Sequence, residues 1–212
     1  MTLTIGIDIG GTSVRAGVVT EDGTVIDTAR AETPRSARAL ERCLDRVVQE
    51  LCVEHDVKAV GLAVAGFLDP SRETVAFAPH LPWRDAKVPS EMTARVGIPV
   101  VMEHDANAAA WAEHVYGPAR QSRVTCVVAL GTGIGAGLLI DGALYRGAFG
   151  VAPELGHLQV VPEGGRATAA SPGAGSATAA APPWWRRRST SWAGRARGAC
   201  SWRASCPTIP VP

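Results

Sequence analysis

Two kinds of feature in this chain have the residue types and spacing to do chemistry: a carboxylate where a strand gives way to a helix, and glycine-rich turns after apolar runs. Asp105 lies in Glu103-His104-Asp105-Ala106-Asn107, after the apolar run 98–102 and before the helix formers 108–113. A carboxylate at the carboxyl end of a strand sits in the crevice where α/β proteins bind ligands. Asp105 is then either the N-cap of the helix or a general base. Residues 130–157 read LGTGIGAGLLIDGALYRGAFGVAPELGH, with glycines at 131, 133, 135 and 137 after an apolar, β-branched run at 124–129. Such a turn either offers free N–H groups to a phosphate, with Thr132 adding a hydroxyl, or is a tight hairpin whose backbone is closely packed. A second such turn, Gly10-Gly11-Thr12-Ser13, joins the β runs 4–9 and 14–19. Asp8 at the end of the first run either holds a hydrated Mg²⁺ or faces solvent.

The elements that must position these groups follow from hydrophobic periodicity. Residues 124–129 and 57–65 read as buried strands, the latter running into a turn at 66–70 that contains Gly66. Ala39, Leu40, Cys43, Leu44, Val47, Val48 and Leu51 recur at helical spacing, which predicts an amphipathic helix that packs on the strands. His55 is expected on the surface just past its end. Residues 21–23 form a turn. The proline-punctuated stretch 78–85 is expected to be a loop, with His80 a satisfied loop histidine rather than a ligand.

Composition narrows the function classes. At 212 residues the chain can bury a real core, and no apolar run approaches the roughly 20 residues of a membrane span. No basic-then-apolar leader opens it, so a cytoplasmic, membrane-free protein is expected. Cys43, Cys52, Cys126, Cys200 and Cys206 show no metal-type or C-x-x-C spacing, which fits reduced structural thiols. The net charge of +1 hides a split: every acidic residue lies at or before Glu163, while six arginines follow Arg166. Two different kinds of polypeptide meet near Arg166.

DIGGT at 8–12, AGFLD at 65–69, EHDANAAAWAE at 103–113, LGTGIGAG at 130–137 and ELGH at 154–157 together resemble the ROK family (repressor, open reading frame, kinase), most closely its bacterial glucokinases. The resemblance covers residues 1 to about 166. It implies an α/β, actin-like (ribonuclease-H-like) ATPase fold of two lobes, with the second lobe incomplete here: 1–117 as the amino-terminal lobe, 118–166 as the start of the second, and 167–212 as a low-complexity tail. It implies ATP and Mg²⁺, with phosphates on Asp8, Gly10, Gly11 and Thr12 and on Gly131, Thr132 and Gly133. By the same carry-over Asp105 is the base that takes the proton of the sugar 6-hydroxyl, and Gly66, His104, Glu154 and His157 bind the sugar. Glucose is the implied substrate, with N-acetylmannosamine or fructose as alternatives and polyphosphate as an alternative donor. A non-catalytic sugar-binding fragment is the other reading. Family members are commonly homodimers or tetramers.

The chain departs from the family at His104, where Asn is usual, at His80, where Asn is frequent, and at Ser13, where Lys is common. An imidazole hydrogen-bonds with a different reach from an amide, so sugar preference follows less firmly than reaction type. Family repressors carry a helix-turn-helix domain ahead of DIGGT; with that motif at residue 8, direct nucleic-acid binding is not expected.

The tail has no acidic residue and four of the six tryptophans. Its composition is that of a disordered basic segment, although such segments avoid Trp. A one-nucleotide slip near Arg166 accounts for it better. Regrouping the codons lets Ala167, Ala169, Ala170, Gly173, Ala174, Ser176, Ala180, Ala181, Pro183 and Trp184 encode the family's missing C-x-C-G-x-x-G-C-x-E-x-x-x-S-G-x-A-L in register. In the family, the three cysteines of that motif join the equivalent of His157 around a structural zinc. Only His157 of that set is present here, so zinc is not expected to bind.

Overall fold

The computed structural model describes residues 2–130, 133–151 and 153–158, which belong to a single unit within Met1–Thr178. Its centre is a five-stranded sheet built from β1 (Leu3–Ile9), β2 (Ser13–Val19), β3 (Val25–Glu32), β4 (Val57–Val64) and β8 (Val100–His104), in the order β3-β2-β1-β4-β8. β1, β2 and β3 form an antiparallel meander with tight turns, whereas β4 and β8 run parallel to β1. Parallel neighbours need long crossovers, and these carry α1 (Ala37–Cys52) and α2 (Val88–Val96).

The helix expected from the 39–51 periodicity is α1, and the side chains it buries are Leu40, Cys43, Leu44, Val47, Val48 and Leu51. They meet the inward row Ile5, Ile7, Ile9, Val14, Val18, Val60, Leu62 and Val64, all buried. α2 has Pro89 in its first turn and stops at Gly97, whose φ of 74° and N–H bond to the Thr93 carbonyl at 2.9 Å make a left-handed C-cap. This helix has too short a stripe, broken by Pro89, to stand out by periodicity.

Between β4 and β8 lies a small antiparallel sheet of β5 (Phe67–Leu68), β6 (Val75–Phe77) and β7 (Arg84–Ala86). The expected turn at 66–70 is therefore partly strand, and the chain reverses at Asp69, whose carboxylate accepts the N–H groups of Glu73 and Thr74 at 2.9 and 2.8 Å. Trp83, from the loop 78–85, is driven into the core beside Leu68, Val75 and Leu81.

A third sheet holds β9 (Val124–Leu130), β10 (Ile134–Ile140) and β11 (Ala143–Leu144), with α3 (Asp105–Val115) packed across one face. Two of the four glycines have a clear packing reason there. A Cβ on Gly135 would lie 3.0 Å from the Ala106 Cβ, and one on Gly137 only 2.5 Å from the Ala110 Cβ. The close-packing alternative thus holds for these two, while Gly133 has open space around it. The expectation of a buried strand at 124–129 is corrected. Val124, Val128 and Leu130 are 62%, 49% and 59% exposed, because they point away from α3 onto a face that is largely open.

His55 also departs from expectation. It lies past α1 as predicted, but its side chain is partly covered and its Nε2 is 3.0 Å from the Asp27 carboxylate of β3. β3 itself was not apparent from the sequence, since Asp27, Thr28, Arg30 and Glu32 break any apolar run.

Candidate active site

The carboxyl ends of the parallel strands β1, β4 and β8 open on one crevice, and α3 begins at its edge. Register places Asp8 beside Ala63 and Ala63 beside Glu103, so the carboxylates of β1 and β8 flank a single small residue. Asp105 follows β8 as the first residue of α3; the N-cap position belongs to His104, which makes no side-chain cap bond. The cap alternative for Asp105 therefore fails. Its Oδ1 accepts the Ala106 N–H at 2.7 Å and lies 3.3 Å from His104 Nε2.

Electrostatics shows which carboxylates share the crevice. Partial burial holds the Asp8 carboxyl above its ordinary range, and the nearby Asp105 charge adds to the rise, opposed by its cross-strand neighbour Arg15. The Glu154 carboxyl is raised as well, mainly by burial and further by Asp105, against the pull of His104 and His157. Glu154, His157, His104 and Asp105 are thus one cluster, although forty-nine residues separate Asp105 from Glu154 in the chain. The loop after β11 makes this contact by turning at Gly147 and Gly150, with φ of 66° and 80°. His157 closes the short 3₁₀ turn Leu155–His157, 3.6 Å from the Glu154 carboxylate and 6.4 Å, ring to ring, from Phe67.

Gly66 reaches the same place from β4. A Cβ there would lie 2.9 Å from the Ala78 Cβ, so packing within the small sheet requires the glycine, which also lines the site. The hollow between Gly66, His104, Asn107, Gly150 and Glu154 measures about 10 Å³. That is room for about one water and not for a hexose.

At the first glycine turn, the Gly10 N–H is bonded to the Ser13 carbonyl at 3.1 Å and its carbonyl accepts the Thr33 hydroxyl at 2.6 Å. Gly10 therefore offers no free N–H to a phosphate, which leaves the exposed Gly11 and Thr12. Gly11 is packed by His80, whose Cβ would lie 2.9 Å from a Cβ at that position. His80 is thus part of the turn's wall. In the second turn Gly133 is exposed, and Gly131 and Thr132 lie outside the described residues, as does the whole tail from 167 to 212.

Three residues of the site were not singled out from the sequence. Asn107 is 2% exposed and lines the hollow, while Arg146 and Arg72 reach Glu103 from distant loops. Glu103 and Asn107 carry a sequence signal, being four apart at the start of a helix. Arg146 and Arg72 carry none.

No group of three or more His, Cys, Asp or Glu side chains suited to a metal occurs among the described residues. The three cysteine ligands implied for zinc are not present at their positions in the sequence, and His157 faces Glu154. The residues do not fit a structural zinc. Nor is any helix among the described residues long and apolar enough to cross a membrane.

Comparison with known proteins agrees with this architecture. The ROK family model matches residues 4–182. A glucokinase of Streptomyces coelicolor is 45% identical over 164 residues, covering 77% of this chain and 52% of its own length. Among solved structures, a ROK family glucokinase from Streptomyces griseus in complex with glucose and AMPPNP superposes with a TM-score of 0.72 at 46% identity, covering 76% of this chain and 52% of that one. An inorganic polyphosphate/ATP-glucomannokinase from Arthrobacter superposes with a TM-score of 0.65 at 32% identity, covering 76% and 65%. The chain spans about half the length of the curated relatives it matches.

Proposed function

We propose, for a chain that belongs to the ROK family and has its α/β, actin-like sugar kinase fold, that it encodes the sugar-binding and base-carrying part of an ATP-dependent glucokinase. The observation that carries this reading is Asp105, at the carboxyl end of β8, sharing one crevice with Asp8, His104 and Glu154.

In this reading glucose lies between Gly66, His104, Glu154 and His157. Asp105 accepts the proton of the 6-hydroxyl as O6 attacks the γ-phosphorus; the O6–P bond forms, the bond to the bridging β–γ oxygen breaks, and ADP leaves. The Ala106 N–H bond to Asp105 Oδ1 fixes one carboxylate oxygen at the helix start. The raised Glu154 carboxyl suits a group that takes hydrogen bonds from sugar hydroxyls in place of lost water. Phosphate oxygens are held by Gly11 and Thr12 and by the turn around Gly133, with Gly131 and Thr132 completing it. Asp8 fits a hydrated Mg²⁺, because the repulsion it feels from Asp105 is what a cation would offset. When bound, that ion neutralises phosphate charge.

The domain reading belongs to the same proposal: 1–117 as one lobe, 118–166 as the start of the second, and 167–212 as out-of-frame sequence. The protein would work in the cytoplasm on small molecules, a sugar and a phosphoryl donor. The polyphosphate/ATP enzyme among the structural relatives keeps polyphosphate as the alternative donor.

The test is glucose 6-phosphate formation by this chain and by a frame-restored version. Asp105→Asn should lower the rate by about 10²–10⁴-fold. Full activity in that variant would remove Asp105 from the chemistry. Resequencing the gene across codons 164–170 decides the frame. A confirmed frame as written would make this chain a sugar-binding fragment without the catalytic second lobe.

A further inference from the structure

Glu103 is the most heavily bonded side chain of the described site, and the proposed reaction gives it no part. It sits on β8 with 18% of its side chain exposed. One carboxylate oxygen, Oε1, accepts the Asn107 amide at 3.2 Å and the His104 N–H at 3.1 Å. The other accepts Arg146 Nε and Nη2 at 2.9 and 2.6 Å, with Arg72 Nη1 at 3.9 Å. Arg146 follows β11, and Arg72 lies in the β5–β6 turn with a left-handed φ of 60°. One carboxylate thus gathers the strand that carries Asp105, the loop that leads to Glu154, and the turn beyond Gly66.

The bond to Asn107 has a second consequence. A carboxylate only accepts hydrogen bonds, so the amide must turn its NH₂ toward Glu103 and its carbonyl oxygen away. That oxygen, Oδ1, is buried and has no partner among the described residues, and Asn107 lines the hollow. A buried acceptor without a donor is costly. It is satisfied when a hydroxyl enters beside it.

The geometry points to Glu103 as the positioning residue of this site: through Arg146 it anchors the base of the 147–151 loop to the end of β8, next to Asp105, and through Asn107 it presents a fixed acceptor to an entering hydroxyl. Identifying that hydroxyl as glucose's rests on the function proposed above; the anchor does not. Because its oxygens are fully engaged, Glu103 is not itself a proton acceptor in the reaction.

The experiment uses the full 212-residue chain, with hydrogen–deuterium exchange and calorimetric titration of D-glucose. Glu103→Gln and Arg146→Met should each speed exchange of amides 147–151 by about tenfold, as loss of a charge-assisted pair with two N–H donors on one carboxylate oxygen implies, and leave amides 5–9 and 60–64 unchanged. Each should weaken glucose binding about fivefold or more. The double variant should be no worse than Glu103→Gln alone, since that substitution already weakens the link to Arg146. Arg146→Lys should recover part of the affinity, which a loss of general stability would not do. Unchanged exchange in both singles, faster exchange throughout the sheet, or additive losses would overturn the assignment. Faster loop exchange in a chain that binds no glucose would uphold the anchor and sink the sugar reading.

Discussion

The two larger sheets are written in similar amino acids and end in different surroundings. In the five-stranded sheet, Ile5, Val60 and Leu62 are 1%, 0% and 2% exposed beneath α1 and α2. In the β9–β10 hairpin, α3 covers the face of Gly135, Gly137 and Leu139, while Val124, Val128 and Leu130 stand open on the other. An apolar β-branched run specifies a strand that can be buried; it does not specify what buries it. The site lies where the two regions meet, with Asp105 on the helix that the hairpin packs against and Asp8 on the covered sheet.

The sharpest way to break that contrast is to compare truncations on the two sides. Leu44→Ala removes a fully buried side chain and should cost about 2–5 kcal/mol, read by denaturant unfolding. Val128→Thr on the open face should change stability by less than about 0.5 kcal/mol and reduce self-association. Comparable losses at both positions would mean that the hairpin face is covered in solution.

The contact between the regions is tested by Gly137→Ala. Its new methyl would meet Ala110 and the Ala106 carbonyl, so a loss of about 1–3 kcal/mol is expected. The same change at Gly133, which has open space around it, should leave stability almost unaltered. Equal effects would mean that α3 does not sit on this face.

The smallest effect expected is in the pH dependence. Glu154 and Asp8 both have folded-state values above their ordinary 4.5 and 3.8. A raised carboxyl favours the folded state below its ordinary value, and that contribution is lost as the pH rises through the folded value. Glu154→Gln should therefore melt at a higher temperature than the parent at pH 7 and at nearly the same temperature at pH 4. A parent that gains on the variant as pH rises would reverse the sign and place Glu154 in a stabilising ion pair.

Much of the fold was readable because it is periodic. The runs around β1, β2, β4 and β8, the stripe of α1 and both glycine turns repeat at the spacing of strand or helix, and the elements lie where they were expected within a residue or two. β3, α2, β5, β6 and β7 were missed because each is short, polar along one edge, or interrupted by proline. At the site, Asp8 and Asp105 stood out as carboxylates at strand ends, while Glu154 and His157 were reached only through the family resemblance of ELGH. Arg146 could not, since an arginine in a loop looks alike whether it meets solvent or a buried carboxylate.

The sequence by itself determined the periodic strands β1, β2, β4 and β8 and the helix α1, and that a carboxylate stands just past the end of β8, because backbone conformation depends on neighbouring residues and on the spacing of apolar side chains. Only the tertiary structure decided that Gly135 and Gly137 serve a helix, that Gly10's N–H is already bonded, that the 124–130 strand has one open face, and that Glu103 joins three segments. Those outcomes depend on which surfaces meet across tens of residues, and a local pattern holds no information about that distance.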